Sequence, residues 1–223
     1  VNSKILAIDT TAEFGSIALI EGEEVVAEVP IRAPDGYGTV LYDYIRRALA
    51  GAAWSVEGID CFAAAAGPGS FTGVRVGLAA AKGLAESTGR RAVAVSNLQA
   101  VAWFGTAPLR ATVLDARRGQ VYGAVYDAGL NLVAEETVAV FPQWIETLPA
   151  GEIEFLSTSF EPFRGALAGT RFAATPARDV PRALAGAIGR IATARFAAGL
   201  AEDPAALDAN YVRRSDAELF WRE

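Results

Sequence analysis

The residues best suited to chemistry sit at two strand ends and in one glycine-rich turn. Asp9-Thr10-Thr11 closes the apolar run that starts at Lys4, and Asp115 closes a second such run, Ala111-Thr-Val-Leu-Asp115. A carboxylate followed by hydroxyls and backbone amides at a strand end is suited to facing nucleotide phosphates, with the acid organising magnesium. The second loop, Asp115-Ala-Arg-Arg-Gly119, has no Ser or Thr beside its acid and carries two bulky cations instead. Each feature also has a plainer reading: Asp9 caps its own turn, and Arg117 with Arg118 forms a solvated loop.

Gly67-Pro-Gly-Ser-Phe-Thr-Gly73 lies between a strand pattern and a helix pattern, where amides and the helix dipole can hold an anion. It lacks the Lys-Ser/Thr ending of a P-loop and the GxGxxG spacing of a dinucleotide fold. The competing reading is steric. The glycines permit a tight turn, Ser70 or Thr72 caps the helix, and Gly73, Gly77, Ala79, Ala80, Ala81 and Gly83 let another helix approach closely. With Val74, Val76 and Leu78 among them, such a face suits a partner's helix as well as an internal one. At the other end, Tyr211-Val-Arg-Arg214 could meet RNA phosphates or an acidic protein surface, or form a solvated tail held by Tyr211.

Composition removes many alternatives. The 223 residues contain no histidine, the usual general base near neutral pH and the commonest metal ligand. Serine and cysteine triads, HExxH zinc sites and most mixed His/carboxylate sites fall with it. The single cysteine, Cys61, lies in the apolar run Ile59-Asp-Cys-Phe-Ala-Ala-Ala-Ala66 and reads as a buried strand residue. Twenty basic against 26 acidic residues give a formal charge of −6, so any contact with nucleic acid is local or borrowed from a partner.

The elements that must position these residues are legible from periodicity. Lys4–Asp9, Gly15–Ile20 and Glu24–Ile31 read as a three-strand meander, Tyr37–Ala53 as an amphipathic helix and Ile59–Ala66 as a buried strand. A small-residue helix from Thr72 to about Ser87 follows, then a strand at Arg91–Val95 and a helix to about Phe104 capped by Ser96 or Asn97. From Ala111 the order restarts with strand, terminal Asp, turn and alternating strand. Aligning Asp9 with Asp115 and Gly15 with Gly119 takes a two-residue gap, so an internal duplication is expected. Val180–Leu200 reads as a long Ala-rich helix of the second half. The expected architecture is α/β, with two similar lobes at 1–104 and 105–223, each a mixed sheet with a strand meander and flanking helices. No uninterrupted apolar stretch reaches the ~20 residues of a membrane span, and a cytoplasmic protein is expected.

Several strings together resemble the TsaB family of bacterial tRNA threonylcarbamoyladenosine biosynthesis proteins. They are Ile8-Asp9-Thr10, Gly67-Pro-Gly-Ser-Phe-Thr-Gly-Val-Arg75-Val-Gly-Leu78, Val95-Ser-Asn-Leu98, Leu114-Asp-Ala-Arg-Arg-Gly-Gln-Val-Tyr122 and Tyr211-Val-Arg213. The resemblance implies an actin-like (ribonuclease H-like) fold in each lobe and a noncatalytic paralogue of TsaD. The TsaD-type enzyme carries an HxxxH metal pair and, with TsaB and the ATPase TsaE, moves threonylcarbamoyl to the adenosine beside the anticodon of ANN-reading tRNAs. It further implies no cofactor for the isolated chain, ATP and magnesium only in the wider complex, and homodimers when alone. The partner interface implied here is Gly67, Pro68, Gly69, Ser70, Phe71, Thr72, Gly73, Val74, Arg75, Val76, Gly77, Leu78 and Ala81. Asp9, Thr10, Thr11 and Asp115 become vestigial phosphate loops, and Tyr211, Arg213 and Arg214 a contact for tRNA or partner. Many relatives carry a histidine before the first helix, where this chain reads Asp35-Gly-Tyr-Gly-Thr-Val-Leu41. An independent ATPase or phosphotransferase using Asp9 and Asp115, and more distantly a peptidase, are the competing functions.

Overall fold

The structure, a computed structural model, describes residues 2–212. They form two compact units: one runs to Ala100 and resumes over Arg182–Asn210, the other covers Val101–Pro181 and resumes at Tyr211. In the first unit, β1 (Lys4–Asp9), β2 (Phe14–Glu21) and β3 (Glu24–Arg32) form an antiparallel meander, and β4 (Cys61–Gly67) and β5 (Arg91–Ser96) extend it in parallel. The sheet order is β3-β2-β1-β4-β5.

Helices cover both faces of this sheet, which is why β1 and β4 are apolar without alternation. On one face, Leu6, Ile8, Ile17, Leu19 and Phe62 pack with Leu41, Ile45 and Leu49 of α1 (Leu41–Gly51) and with Val74, Leu78 and Ala81 of α2 (Phe71–Thr88). The edge strand β3 has one wet face and alternates. α1 begins four residues later than its apolar spacing predicts, because Tyr37 leaves the helical path and donates its hydroxyl to the Ala12 carbonyl at 2.7 Å. A short helix, α3 (Asn97–Ala102), follows β5.

The second unit repeats the plan. β6 (Leu109–Asp115), β7 (Gln120–Asp127) and β8 (Leu132–Val140) form the meander, then come α4 (Phe141–Glu146), β9 (Ile153–Ser157), α5 (Glu161–Arg164) and β10 (Ala177–Asp179). The order β10-β9-β6-β7-β8 is the first sheet's order with each strand replaced by its counterpart. Tilted and edge-to-face rings of Phe141, Phe155, Phe160 and Phe172 dominate its core, with Trp144 against the bare backbone of Gly123. Register corrects the expected repeat alignment. Asp9 pairs with Ser16 and Asp115 with Val121, so the second turn is one residue shorter and Gly15 corresponds to Gln120 instead of Gly119.

The last helix, α6 (Ala185–Ala197), departs from the sequence-based boundary. It belongs to the first unit, where it packs on β1, β2, β4 and β5. Gly189 lies against Ile20 and Ala7, on the opposite sheet face from Leu6 and Ile8. Ser16 Oγ accepts from the Ala185 N–H at 2.9 Å and Glu28 Oε1 from the Gly186 N–H at 2.8 Å, so strand side chains cap this helix. Lobes at 1–104 and 105–223 thus misassign one helix. Among the described residues no helix is long and apolar enough to cross a membrane.

Candidate functional site

Of the residues singled out for chemistry, Asp9, Thr10, Thr11 and the glycine-rich turn converge in the first unit, at the carboxyl end of β1. Asp9 is buried, and its Oδ1 accepts from the Thr11 N–H (3.0 Å), the Thr11 hydroxyl (2.7 Å) and, at 3.4 Å, Asn97 Nδ2. Asn97 Nδ2 also donates to Thr11 Oγ1 at 2.7 Å, and its Oδ1 accepts from the Gly67 N–H at 3.0 Å. Burial pushes the Asp9 carboxyl above its ordinary value, and the bonds from Thr11 and Asn97 pull against that rise.

α2 is seated directly on this knot. Thr10 Oγ1 donates to the Gly73 carbonyl at 2.7 Å, and the Ser70 N–H donates to the Thr11 carbonyl at 2.7 Å. Ser70 Oγ caps the helix by accepting from the Gly73 N–H at 3.3 Å. A β-carbon on Gly69 would lie 2.6 Å from the Thr11 carbonyl oxygen, one on Gly77 would lie 2.5 Å from Thr10 Oγ1, and one on Gly73 would overlap the Thr10 carbonyl. The chain enters the turn through a cis Gly67–Pro68 bond with Gly67 at φ +98°, a conformation that favours glycine.

The predicted interface run therefore divides. Gly67, Pro68, Gly73, Val74, Gly77, Leu78 and Ala81 are buried inside the unit. Gly69, Ser70, Phe71, Thr72 and Arg75 are exposed, and Val76 is half-buried. The Arg75 guanidinium lies 3.7 Å from the centre of the Phe71 ring. Further along the same outer face Ala79 and Gly83 are exposed, with open space where a Gly83 side chain would be.

The polar groups of the first strand-end loop are spent within the protein. The hydroxyls of Thr10 and Thr11 already donate within the protein, and Asp9 Oδ1 already accepts bonds from Thr11 and Asn97. Asp115 is exposed, and its Oδ1 accepts from the Arg117 N–H at 2.8 Å. Among the described residues no three His, Cys, Asp or Glu side chains converge as metal ligands. Cys61 is buried, and burial, with Asp60 adding, pushes its thiol up to about 12. Tyr211 is 47% exposed, while Arg213 and Arg214 lie outside the described residues. Asn97 is the residue whose importance sequence reasoning missed. Of the two cap candidates, Ser96 and Asn97, Ser96 does the capping, its Oγ accepting from the Leu98 N–H at 3.1 Å, and Asn97 serves the buried network instead.

A family model described as TsaD, tRNA N6-adenosine threonylcarbamoyltransferase, matches residues 28–200. The tRNA threonylcarbamoyladenosine biosynthesis protein TsaB of Bacillus subtilis (strain 168) is 30% identical over 231 residues, covering 98% of each chain. The chain belongs to the TsaB family. TsaB of Escherichia coli (strain K12) is 36% identical over 143 residues, a match that spans 61% of this chain and 62% of that protein. A crystal structure from Pseudomonas aeruginosa, of an uncharacterized protein with similarity to peptidase YEAZ, superimposes with a TM-score of 0.77 at 25% identity, covering 95% of this chain and all of that one. For this TsaB-family chain the fold is the two-lobed actin-like one, each lobe built on one of the two matching five-stranded sheets.

Proposed function

We propose that this chain is a noncatalytic subunit of tRNA threonylcarbamoyladenosine biosynthesis. It binds and activates a TsaD-type enzyme that transfers threonylcarbamoyl to the adenosine beside the anticodon of ANN-reading tRNAs. A TsaE-type ATPase completes the wider cytoplasmic complex, tRNA is met through the assembly, and the isolated chain pairs with a second copy of itself. The observation that carries the reading is the seating of α2. Groups that would hold a nucleotide in a working actin-like site, Asp9, Thr10 and Thr11, here fasten the start of α2. That fastening fixes an outer helical face of Phe71, Thr72, Arg75, Ala79 and Gly83 against which a partner's helix can lie. The absence of histidine argues against a metal centre of the TsaD kind and, with the buried thiol of Cys61, against a peptidase.

Gly83→Arg tests the surface without threatening the fold, since the position is open and arginine is the better helix former. The variant is expected to melt at or above the wild-type temperature, to lose copurification with the TsaD-type subunit, and to lower tRNA modification in a reconstituted system at least tenfold. Normal binding and normal modification by a folded Gly83→Arg protein would remove this face from the interface. Calorimetry with Mg-ATP addresses the independent ATPase: tight binding and turnover by the isolated chain, both abolished in Asp9→Asn, would replace the subunit reading.

A further inference from the structure

We infer that Gly105-Thr-Ala-Pro108, through which the chain enters the second unit, is a locked joint and not a hinge, held to that unit's sheet by Arg110, Glu154 and Arg178. A glycine and a proline three residues apart, between a helix and a strand, have the composition of a loop that bends. The backbone is fastened instead. Every N–H from Phe104 to Leu109 donates within the unit, Pro108 having none. Phe104 donates to the Val101 carbonyl at 3.3 Å, Gly105 to the Ala102 carbonyl at 3.0 Å and Leu109 to the Glu152 carbonyl at 3.1 Å. Between them, the N–H groups of Thr106 and, at 2.6 Å, Ala107 both donate to Glu154 Oε1. Arginines take the carbonyls. Arg110 donates to that of Ala102 at 3.1 Å and that of Ala107 at 3.3 Å, and Arg178 donates to that of Phe104 and, at 3.2 Å, to Glu154 Oε2.

The three charged side chains come from neighbouring strands, β6, β9 and β10, and share one face of the sheet. Ala111, Phe155 and Ala177, the row beside them, enter the aromatic core on the other face. Glu154 and Arg110 are buried. Burial pushes the Glu154 carboxyl up, and the bonds from the two amides and Arg178 outweigh it, so the group is held below its ordinary value. An apolar side chain would fill such a place at lower desolvation cost, but it could not grip two amides of a segment that has no strand partner. Gly105 fits the same clamp. A β-carbon there would collide with the Arg110 side chain, so the glycine makes room for the arginine and does not supply freedom. Enzymes that close on a substrate need connections that flex. A fastened connection suits a subunit that presents a fixed face; this bearing on function rests on the proposed reading, whereas the joint is tested on the isolated chain.

Hydrogen exchange of the full chain, resolved at the Thr106 and Ala107 amides, is the test. In wild type both are expected to exchange about a hundredfold or more slower than unstructured peptide, in the range of the β6 amides. Glu154→Gln keeps the shape, removes the charge and sets its NH2 against Arg178. Both amides should then exchange roughly tenfold faster or more, while those of β7 stay within about threefold of wild type. Gly105→Ala is expected to lower the melting temperature by several degrees, where the same change in a free linker would be neutral or stabilising. Wild-type amides exchanging at the unprotected rate would overturn the inference. So would rates at Thr106 and Ala107 unchanged in a folded Glu154→Gln protein, or a Gly105→Ala protein as stable as wild type. The wild-type rates and Gly105→Ala decide the matter even where Glu154→Gln does not fold.

Discussion

At the scale of single residues, the buried knot is held by one carboxylate that the fold keeps away from water. Asp9 has its pKa raised in the folded state above the ordinary 3.8, burial outweighing the bonds from Thr11 and Asn97. The sign follows from linkage: the contribution of such a group is fully present below the unfolded value and is lost as pH rises through the folded one. Asp9→Asn retains an oxygen that can accept the same bonds and removes the charge. Melting curves between pH 4 and pH 8 should therefore show the variant gaining on wild type as pH rises, and parallel pH profiles would refute the assignment. Residue type alone made Asp9, Thr10 and Thr11 stand out, because a carboxylate with two hydroxyls at a strand end is unusual. It could not say that those hydroxyls point inward, nor that Asn97, so far along the chain, closes the same network. A side chain that fits a helix-cap pattern gives no local sign of a partner 88 residues away.

At the scale of elements, α2 is small on two faces, and sequence spacing cannot tell them apart. Gly73, Gly77 and Ala81 recur every four residues, and so do Arg75, Ala79 and Gly83 on the opposite side of the helix. The first stripe lies on Thr10 and Ile8 within the unit, while Ala79 and Gly83 face outward. Alanine substitutions at the two glycines should then have opposite signs. Gly73→Ala drives a methyl into the Thr10 carbonyl and is expected to cost about 2–3 kcal/mol, as overpacking does. Gly83→Ala meets open space in a helix interior and should add about 1 kcal/mol. Chemical denaturation of both variants checks the pair, and a stable Gly73→Ala would mean that α2 is not seated as described. β1 and β4 were legible as continuous apolar runs, β3 by its alternation and α1 by its helical stripe, and the repeated meander followed from the same signals. The start of α1 was not, since Tyr37 fits the helical spacing yet is drawn to the Ala12 carbonyl. β10, three residues long with two of them exposed, has no periodicity to read.

At the scale of the whole chain, the first unit is discontinuous, and this decides what can fold alone. Sequence order assigns α6 to the second lobe, and its Ala-rich pattern says only that it is buried, without saying against what. In the structure Ile188 and Ile191 are buried in α6, and Ile5 and Ile20 face each other across β1 and β2 on the sheet face that α6 covers. Exposing four such side chains at about 1.5–3 kcal/mol each would forfeit about 6–12 kcal/mol, comparable to the whole stability of a domain. Removal of α6 would also leave Ser16 and Glu28 without the helix amides that they accept. A fragment of residues 1–104 is accordingly expected to lack a cooperative melting transition and to expose apolar surface to dye. Residues 1–100 joined by a flexible Gly/Ser linker to 182–210 should melt cooperatively and show native near-UV dichroism. If the 1–104 fragment instead folds cooperatively, α6 is an accessory to the first sheet and the sequence-based boundary marks a true folding unit.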